Sequence, residues 1–142
     1  MENSSNPEYL QESLLFELAR AMALPQTHSV RSLIRLIFGR ASLKVAKMAL
    51  DIDREIGQNG TAAGARLLLP NFVAGYGACG QEIIPSKGPL LIVSNHPASY
   101  DGVVISAFVN RPDFKIMIGE IPPYRYLPHI SRHANFSPLR CP

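Results

Sequence analysis

The sequence predicts an α/β fold, in which a helical N-terminal segment is followed by the first part of a mixed, largely parallel sheet with flanking helices. Two observations predict it. From residue 7 to about residue 70, apolar side chains recur three and four positions apart, as they do on one face of a helix. From about residue 79, short apolar runs bounded by turn residues alternate with one helical segment. We therefore expect a helical segment over 1–75 and the N-terminal part of an α/β domain over 76–142.

Composition limits the class of protein. The chain has 142 residues, of which 46% are hydrophobic and 18% are charged, and its net charge is +3. This length suits one domain, and so many apolar residues exclude a disordered chain. A mildly positive charge does not by itself imply nucleic acid, and no nucleic-acid-binding fold motif is present. We expect no nucleic-acid partner.

Cysteine usage and the N-terminus predict a cytoplasmic location. Cys79 and Cys141 do not make a disulfide framework or a four-ligand zinc site. His129 and His133 are four residues apart but lack a third ligand, so we expect no metal site. The N-terminal residues show no signal peptide, and no apolar run reaches the length of a membrane span. A peripheral membrane role remains open.

Three helices are predicted in the N-terminal segment, over 7–24, 29–56 and 62–69. Ser29 is the expected N-cap of the second helix. Gly39 lies within the second helix, where a glycine costs about 1 kcal/mol relative to alanine and loosens or breaks the helix.

The second predicted helix carries a run of cations. Between residues 28 and 48 every charged side chain is basic, and apolar residues lie among them. The five cations are Arg31, Arg35, Arg40, Lys44 and Lys47. Apolar area beside cations is typical of a helix that lies on an anionic membrane surface. An ordinary amphipathic helix with a solvated basic face explains the same pattern, and both interpretations stay open.

Four strands and one helix are predicted in the second half, the strands at 80–84, 90–93, 114–118 and 134–137 and the helix at 99–109. The uncharged run Leu90-Leu91-Ile92-Val93 lies between turn residues, which suits a buried strand of a parallel sheet. With the following helix and the strand at 114–118, it would form a βαβ unit.

Potential catalytic residues follow the predicted strand at 90–93. Asn95 and His96 come directly after it, at the edge where open α/β sheets bind ligands. Asp101 falls in the first turn of the next predicted helix, so its carboxylate can turn back toward the imidazole of His96. A neutral histidine takes a proton from a hydroxyl, while a carboxylate fixes its tautomer and stabilises the imidazolium. Alternatively, the histidine bonds the backbone and the aspartate is favoured by the helix dipole.

Asn95 and His96, followed after four residues by Asp101, resemble the NHxxxxD signature of the glycerolipid acyltransferases, the family of lysophosphatidic acid and glycerol-3-phosphate acyltransferases. The resemblance runs from about residue 80 to residue 140. It implies fatty acyl transfer from an acyl-CoA or acyl-carrier protein to the hydroxyl of a lysophospholipid or glycerol phosphate, with no bound cofactor. It also implies that His96 is the general base, that Asp101 orients it and that Asn95 belongs to the substrate-binding part of the motif.

The family's later blocks match less well. The segment 134–140, Ala-Asn-Phe-Ser-Pro-Leu-Arg, lies where the second block would fall, but alanine replaces its glycine and Pro138 interrupts the strand. The resemblance makes Arg140 a candidate phosphate contact, and a solvated arginine is the alternative. A Glu-Gly-Thr-Arg-like third block is missing, so we expect a truncated product or a fragment. The alternative function is a non-catalytic remnant that binds membranes through the basic helix.

Overall fold

A computed structural model describes residues 6–95 and 100–138. This part of the chain is mostly helical and contains a short two-stranded parallel sheet. The helices are α1 (Pro7–Ala21), α2 (His28–Asn59), α3 (Thr61–Leu68), α4 (Asp101–Phe108) and α5 (Pro128–Arg132), and the strands are β1 (Ile116–Gly119) and β2 (Ala134–Ser137). The predicted fold class is therefore present in its coarse form, as a helical N-terminal part and a small parallel sheet.

Capping side chains fix where the two long helices begin. The side chain of Asn6 accepts a hydrogen bond from the Glu8 N–H at 2.8 Å, one residue before Pro7 opens α1. At α2 the N-cap is Thr27, whose hydroxyl accepts from the Val30 N–H at 3.5 Å. The prediction of Ser29 as the cap was therefore wrong by two residues. Both residue types cap helices well, so local sequence did not distinguish them.

Helix α2 continues without interruption through Gly39, so the expected break does not occur. Packing against α1 explains the difference, because the buried amide of Gln11 donates to the Gly39 carbonyl at 2.8 Å. Tertiary contacts of this kind outweigh the weak helix propensity of one glycine. The helix ends at Gly60, whose φ of +87° is a backbone conformation that favours glycine.

Helices α1 and α2 form an antiparallel hairpin with buried apolar seams. Leu15 and Ala19 of α1 are buried against Ile34 of α2. Nearer the start of α1, Leu10 is fully buried against Ala46 of α2. Each seam removes aliphatic surface from water, which is the main stabilising contribution to such a pair.

Helix α3 folds back closely on the end of α2. A Cβ atom built on Gly64 would collide with Cγ1 of Ile56, so this approach requires glycine. On its other side α3 packs against α4, with Ala65, Leu69 and Ala107 buried together. Helix α3 thereby links the hairpin to the second half of the chain.

Strands β1 and β2 pair in parallel, with Ile116 opposite Ala134 and Gly119 opposite Ser137. A 3-10 helix (Pro122–Tyr126) and α5 connect them, which gives the long crossover that parallel strands require. The prediction of a strand at 134–137 is confirmed, and the one at 114–118 lies two residues too early at its start.

Two other strand predictions were wrong. Residues 80–84 contain a 3-10 turn (Gln81–Ile83), and residues 90–93 have no regular secondary structure. Leu91 and Val93 are 85% and 82% exposed. The βαβ unit expected from 90–93 through α4 to β1 is therefore not formed among the described residues. An apolar run satisfies the composition of a strand, but a strand also needs a hydrogen-bonded neighbour.

Helix α5 and the residue before it pack the second half of the chain against the α1–α2 hairpin. The carboxylate of Asp53, buried in α2, accepts a hydrogen bond from the Ile130 N–H at 2.8 Å. Leu127, just before α5, is buried in the same cluster as Leu10. Burial raises the pKa of Asp53 above its ordinary value, and the Ile130 N–H and the nearby charge of His129 only partly oppose this.

Candidate functional site

The structure describes the two ends of the Asn95–Asp101 motif. Asn95 is exposed and belongs to the irregular segment after residue 88. Asp101 is half-buried and is the first residue of α4, so its predicted place in the first turn of a helix is confirmed. His96 and Arg140 lie outside the described residues. The predicted pairing of His96 with Asp101 therefore stays a prediction.

Helix α4 holds Asp101 through contacts at both of its ends. In the first turn the N–H groups of Val103 and Val104 both donate to the Tyr100 carbonyl, at 2.9 and 3.1 Å. At the other end Nε of Arg66, in α3, donates to the Ala107 carbonyl at 3.0 Å. Asp101 thus belongs to a helix that is tied to its neighbour, which is the kind of rigid support that a catalytic side chain needs.

The start of α4 lies close to the sheet. A Cβ atom built on Gly102 would lie 2.6 Å from Cδ1 of Ile116, the first residue of β1. Glycine therefore allows α4 to approach β1 directly after the motif. Ile116 is thus a point of contact between the motif helix and β1.

Arg111 anchors the segment that leads to Asn95. Its guanidinium is buried and donates to the Pro85 carbonyl and to the Gly88 carbonyl, at 2.8 Å each. It also makes a two-point contact with Asp113, at 2.9 and 2.6 Å. The hydrogen bonds from Arg111 hold the pKa of Asp113 below its usual range.

Sequence reasoning missed this anchoring role, because Arg111 lies just after the helix predicted at 99–109 and was assigned no role. A signal was nevertheless present, since Arg111 and Asp113 are separated by one proline. Arginine forms planar, two-point contacts with carboxylates, and its remaining N–H groups then suit backbone carbonyls. The turn it holds includes Gly88, whose φ is +87°.

Other candidate groups have structural partners. The ring of His129 lies against α2, 2.7 Å from where a Cβ of Gly57 would be, and Nδ1 of His133 is 2.9 Å from the Phe114 carbonyl oxygen. No three His, Cys, Asp or Glu side chains in 6–95 and 100–138 are grouped so that they could hold a metal ion. A cavity of about 20 Å³ lies between α1 and α2, lined by Glu12, Leu15 and Arg31 among others, and does not include Asn95 or Asp101.

Comparison of the chain with family models, with curated proteins and with solved structures finds no match. Among the helices that the structure describes, none has the length and apolar character needed to cross a bilayer. Function is therefore inferred from the motif and from the surfaces of the described residues.

Proposed function

We propose that the chain is an O-acyltransferase of the glycerolipid type, which transfers a fatty acyl group from an acyl thioester to the hydroxyl of a lysophospholipid or glycerol phosphate. The observation that carries the proposal is the Asn95-His96-x4-Asp101 motif, with Asp101 in the first turn of α4 beside the sheet. His96 precedes Asp101 by five residues, and the proposal requires the chain between them to bring the imidazole to the carboxylate. In this proposal His96 and Asp101 are the catalytic residues.

The reaction needs one proton carrier. Neutral His96 takes the proton of the acceptor hydroxyl, whose oxygen attacks the thioester carbonyl carbon. The negatively charged Asp101 stabilises the imidazolium that forms. As the tetrahedral intermediate collapses, the carbon–sulfur bond breaks and the imidazolium returns the proton to the leaving thiolate. The acyl-CoA or acyl-carrier protein is a co-substrate, and the residues need no bound cofactor.

The finer architecture is part of the same proposal. Residues 76–142 would be the N-terminal part of an acyltransferase α/β domain, the first part of a mixed, largely parallel sheet. The parallel pair β1–β2 and the close approach of α4 to β1 support this.

The test compares three forms of the full chain in a thiol-release assay with acyl-CoA and lysophosphatidic acid. We expect the unmodified chain to release thiol only when the acceptor is present. His96→Ala should lower the rate by about 10²–10⁴-fold, which is the usual contribution of a general base. His28→Ala is the matched control, because His28 is exposed at the start of α2.

Asp101→Asn removes the charge but keeps the size of the side chain. It should lower kcat and change the pH dependence of the rate, because the imidazolium loses its stabilising partner. Transfer that survives His96→Ala at the rate of the His28→Ala control would overturn the proposed mechanism. An unmodified chain without acceptor-dependent release would instead favour the alternative, a non-catalytic membrane-binding remnant, for which α2 offers a suitable surface.

A further inference from the structure

Helix α2 presents a row of aliphatic side chains to solvent. Leu33, Leu36 and Ile37 are 55%, 83% and 61% exposed. Their spacing of three and four residues places them on one face, opposite the seam that packs against α1. Large aliphatic groups grouped in this way on a surface mark an interaction site more often than a single exposed leucine does.

Three cations continue the same face. Arg40, Lys44 and Lys47 follow Ile37 at spacings of three and four residues, and all three are exposed. Among the described residues, none of the three forms an ion pair. We call Leu33, Leu36, Ile37, Arg40, Lys44 and Lys47 the docking face.

The other two cations of the predicted basic run have different surroundings. Arg35 pairs with Glu12 of α1 at 2.6 Å and so braces the hairpin. Arg31 lines the cavity between α1 and α2. The structure therefore separates the five cations into two that face the hairpin and three that face outward beside exposed aliphatic groups.

We propose that the docking face binds the surface of an anionic bilayer, with its aliphatic side chains among the acyl chains and its cations on the lipid phosphates. The face is about 21 Å long along the helix axis, since Lys47 follows Leu33 by fourteen residues, each of which rises by about 1.5 Å. A helix lying in the interface needs apolar groups and cations side by side, and this face has both. Its charge is complementary to anionic lipid, because the nearest acid along the face, Asp51, is paired with Arg54 at 3.0 Å.

The phosphates of a nucleic acid would bind the three cations. They would leave the three aliphatic side chains exposed to water, so nucleic acid accounts for only half of the docking face. Membrane binding by the docking face does not depend on the proposed acyl transfer, since the face lies on α2 and contains no residue of the Asn95–Asp101 motif. Binding to vesicles can be measured without any substrate. The two proposals can therefore fail separately.

The first test is sedimentation of the full chain with vesicles of phosphatidylcholine, with and without phosphatidylglycerol. We expect binding to the anionic vesicles and loss of binding at high salt, where charge attraction is screened. The triple variant Arg40→Glu, Lys44→Glu, Lys47→Glu should bind at least about 100-fold more weakly, since each cation near an anionic surface strengthens binding by roughly fivefold. Lys87→Glu, Lys115→Glu, Arg125→Glu makes the same change in net charge at exposed positions elsewhere and should bind nearly as the unmodified chain does.

The second test follows insertion directly. The chain has no tryptophan, so Leu36→Trp introduces a single indole fluorophore on the docking face. Its emission should shift to shorter wavelength with anionic vesicles, whereas Leu91→Trp, at a similarly exposed position, should show no shift. Circular dichroism of each variant verifies that the helices remain folded.

Three results would overturn the proposal. The first is undiminished vesicle binding by the docking-face triple variant, and the second is an equal loss in its matched control. The third is that the chain does not bind anionic vesicles but self-associates in sedimentation velocity, and that Leu36→Ser and Ile37→Ser abolish the self-association. That last result would assign the face to a second copy of the chain.

Discussion

The α1–α2 hairpin and the segment around residues 90–95 use similar aliphatic residues and bury them very differently. Leu10, in the hairpin, is fully buried, whereas Leu91 is 85% exposed. The two helices complete their own backbone hydrogen bonds and then pack with a neighbour that is close in sequence. A strand needs a partner for every backbone group on at least one edge, and among the described residues the segment 90–93 has none. Apolar composition therefore leads to burial only where the fold supplies a partner.

The largest expected difference between these regions is in stability. Leu10→Ala should lower the free energy of unfolding by about 2–5 kcal/mol, because it leaves a cavity between α1 and α2. Leu91→Ala makes the same change at an exposed position and should alter it by less than about 0.5 kcal/mol. Urea unfolding followed by circular dichroism measures both. Equal losses would show that Leu91 is packed in solution and would remove the contrast.

Within the helical part, we expect two glycine-to-alanine substitutions to change stability in opposite directions. Gly64→Ala should lower stability by about 1–3 kcal/mol, because the added methyl group collides with Ile56. Gly39→Ala should raise it by up to about 1 kcal/mol, since a Cβ there would meet other atoms at 3.8 Å or more and alanine favours a helix. Thermal unfolding measures whether each variant is less or more stable than the unmodified chain. A double variant with Ile56→Ala should recover part of the loss at Gly64, and full additivity would show that the two residues do not collide.

The smallest expected effect is a dependence on pH at the contact between α2 and α5. Because the pKa of Asp53 is raised in the folded protein, its ionisation favours the unfolded state. The stabilisation from protonated Asp53 is complete below the ordinary value of 3.8 and is lost as the pH rises through the folded pKa. Asp53→Asn keeps an acceptor for the Ile130 N–H and does not titrate.

Relative to the Asp53→Asn variant, the unmodified chain should therefore lose stability as the pH rises above 3.8, and the difference should become constant above the folded pKa. Urea unfolding across that range measures the difference. A relative gain of the unmodified chain with rising pH would mean that the charged carboxylate is the stabilising form, which contradicts the effect of burial.

The helices were predictable because their signals are local. The three- and four-residue spacing of apolar side chains located α1 to α3 within a few residues. Strands β1 and β2 were located as well, but their pairing with each other was not predicted, since parallel pairing depends on contacts between residues far apart in sequence. The strand predicted at 90–93 was wrong for the same reason. The composition of an apolar run does not indicate whether a neighbouring strand is present.

The features of the candidate site that depend on local sequence could be predicted, and those that depend on distant contacts could not. The place of Asp101 at a helix start follows from the local pattern and is observed. The local Arg-Pro-Asp pattern indicates the contact between Arg111 and Asp113. It does not indicate the contacts from Arg111 to the Pro85 and Gly88 carbonyls, which join residues more than twenty positions apart. The docking face was visible only as a run of five cations, and it took the packing of α1 to show which three of them face outward.

The exposed stretch from Leu90 to Asn95 also bears on aggregation. It has six residues with no charge and no proline, and four of them are leucine, isoleucine or valine. Such stretches stack into cross-β fibrils when many copies meet. Pro89 and Pro97 flank the stretch in the sequence, and proline cannot donate the backbone hydrogen bond that a growing fibril needs. A fibril core that formed from this stretch would be confined between the two prolines, in a window of seven residues that ends with the histidine proposed as the catalytic base.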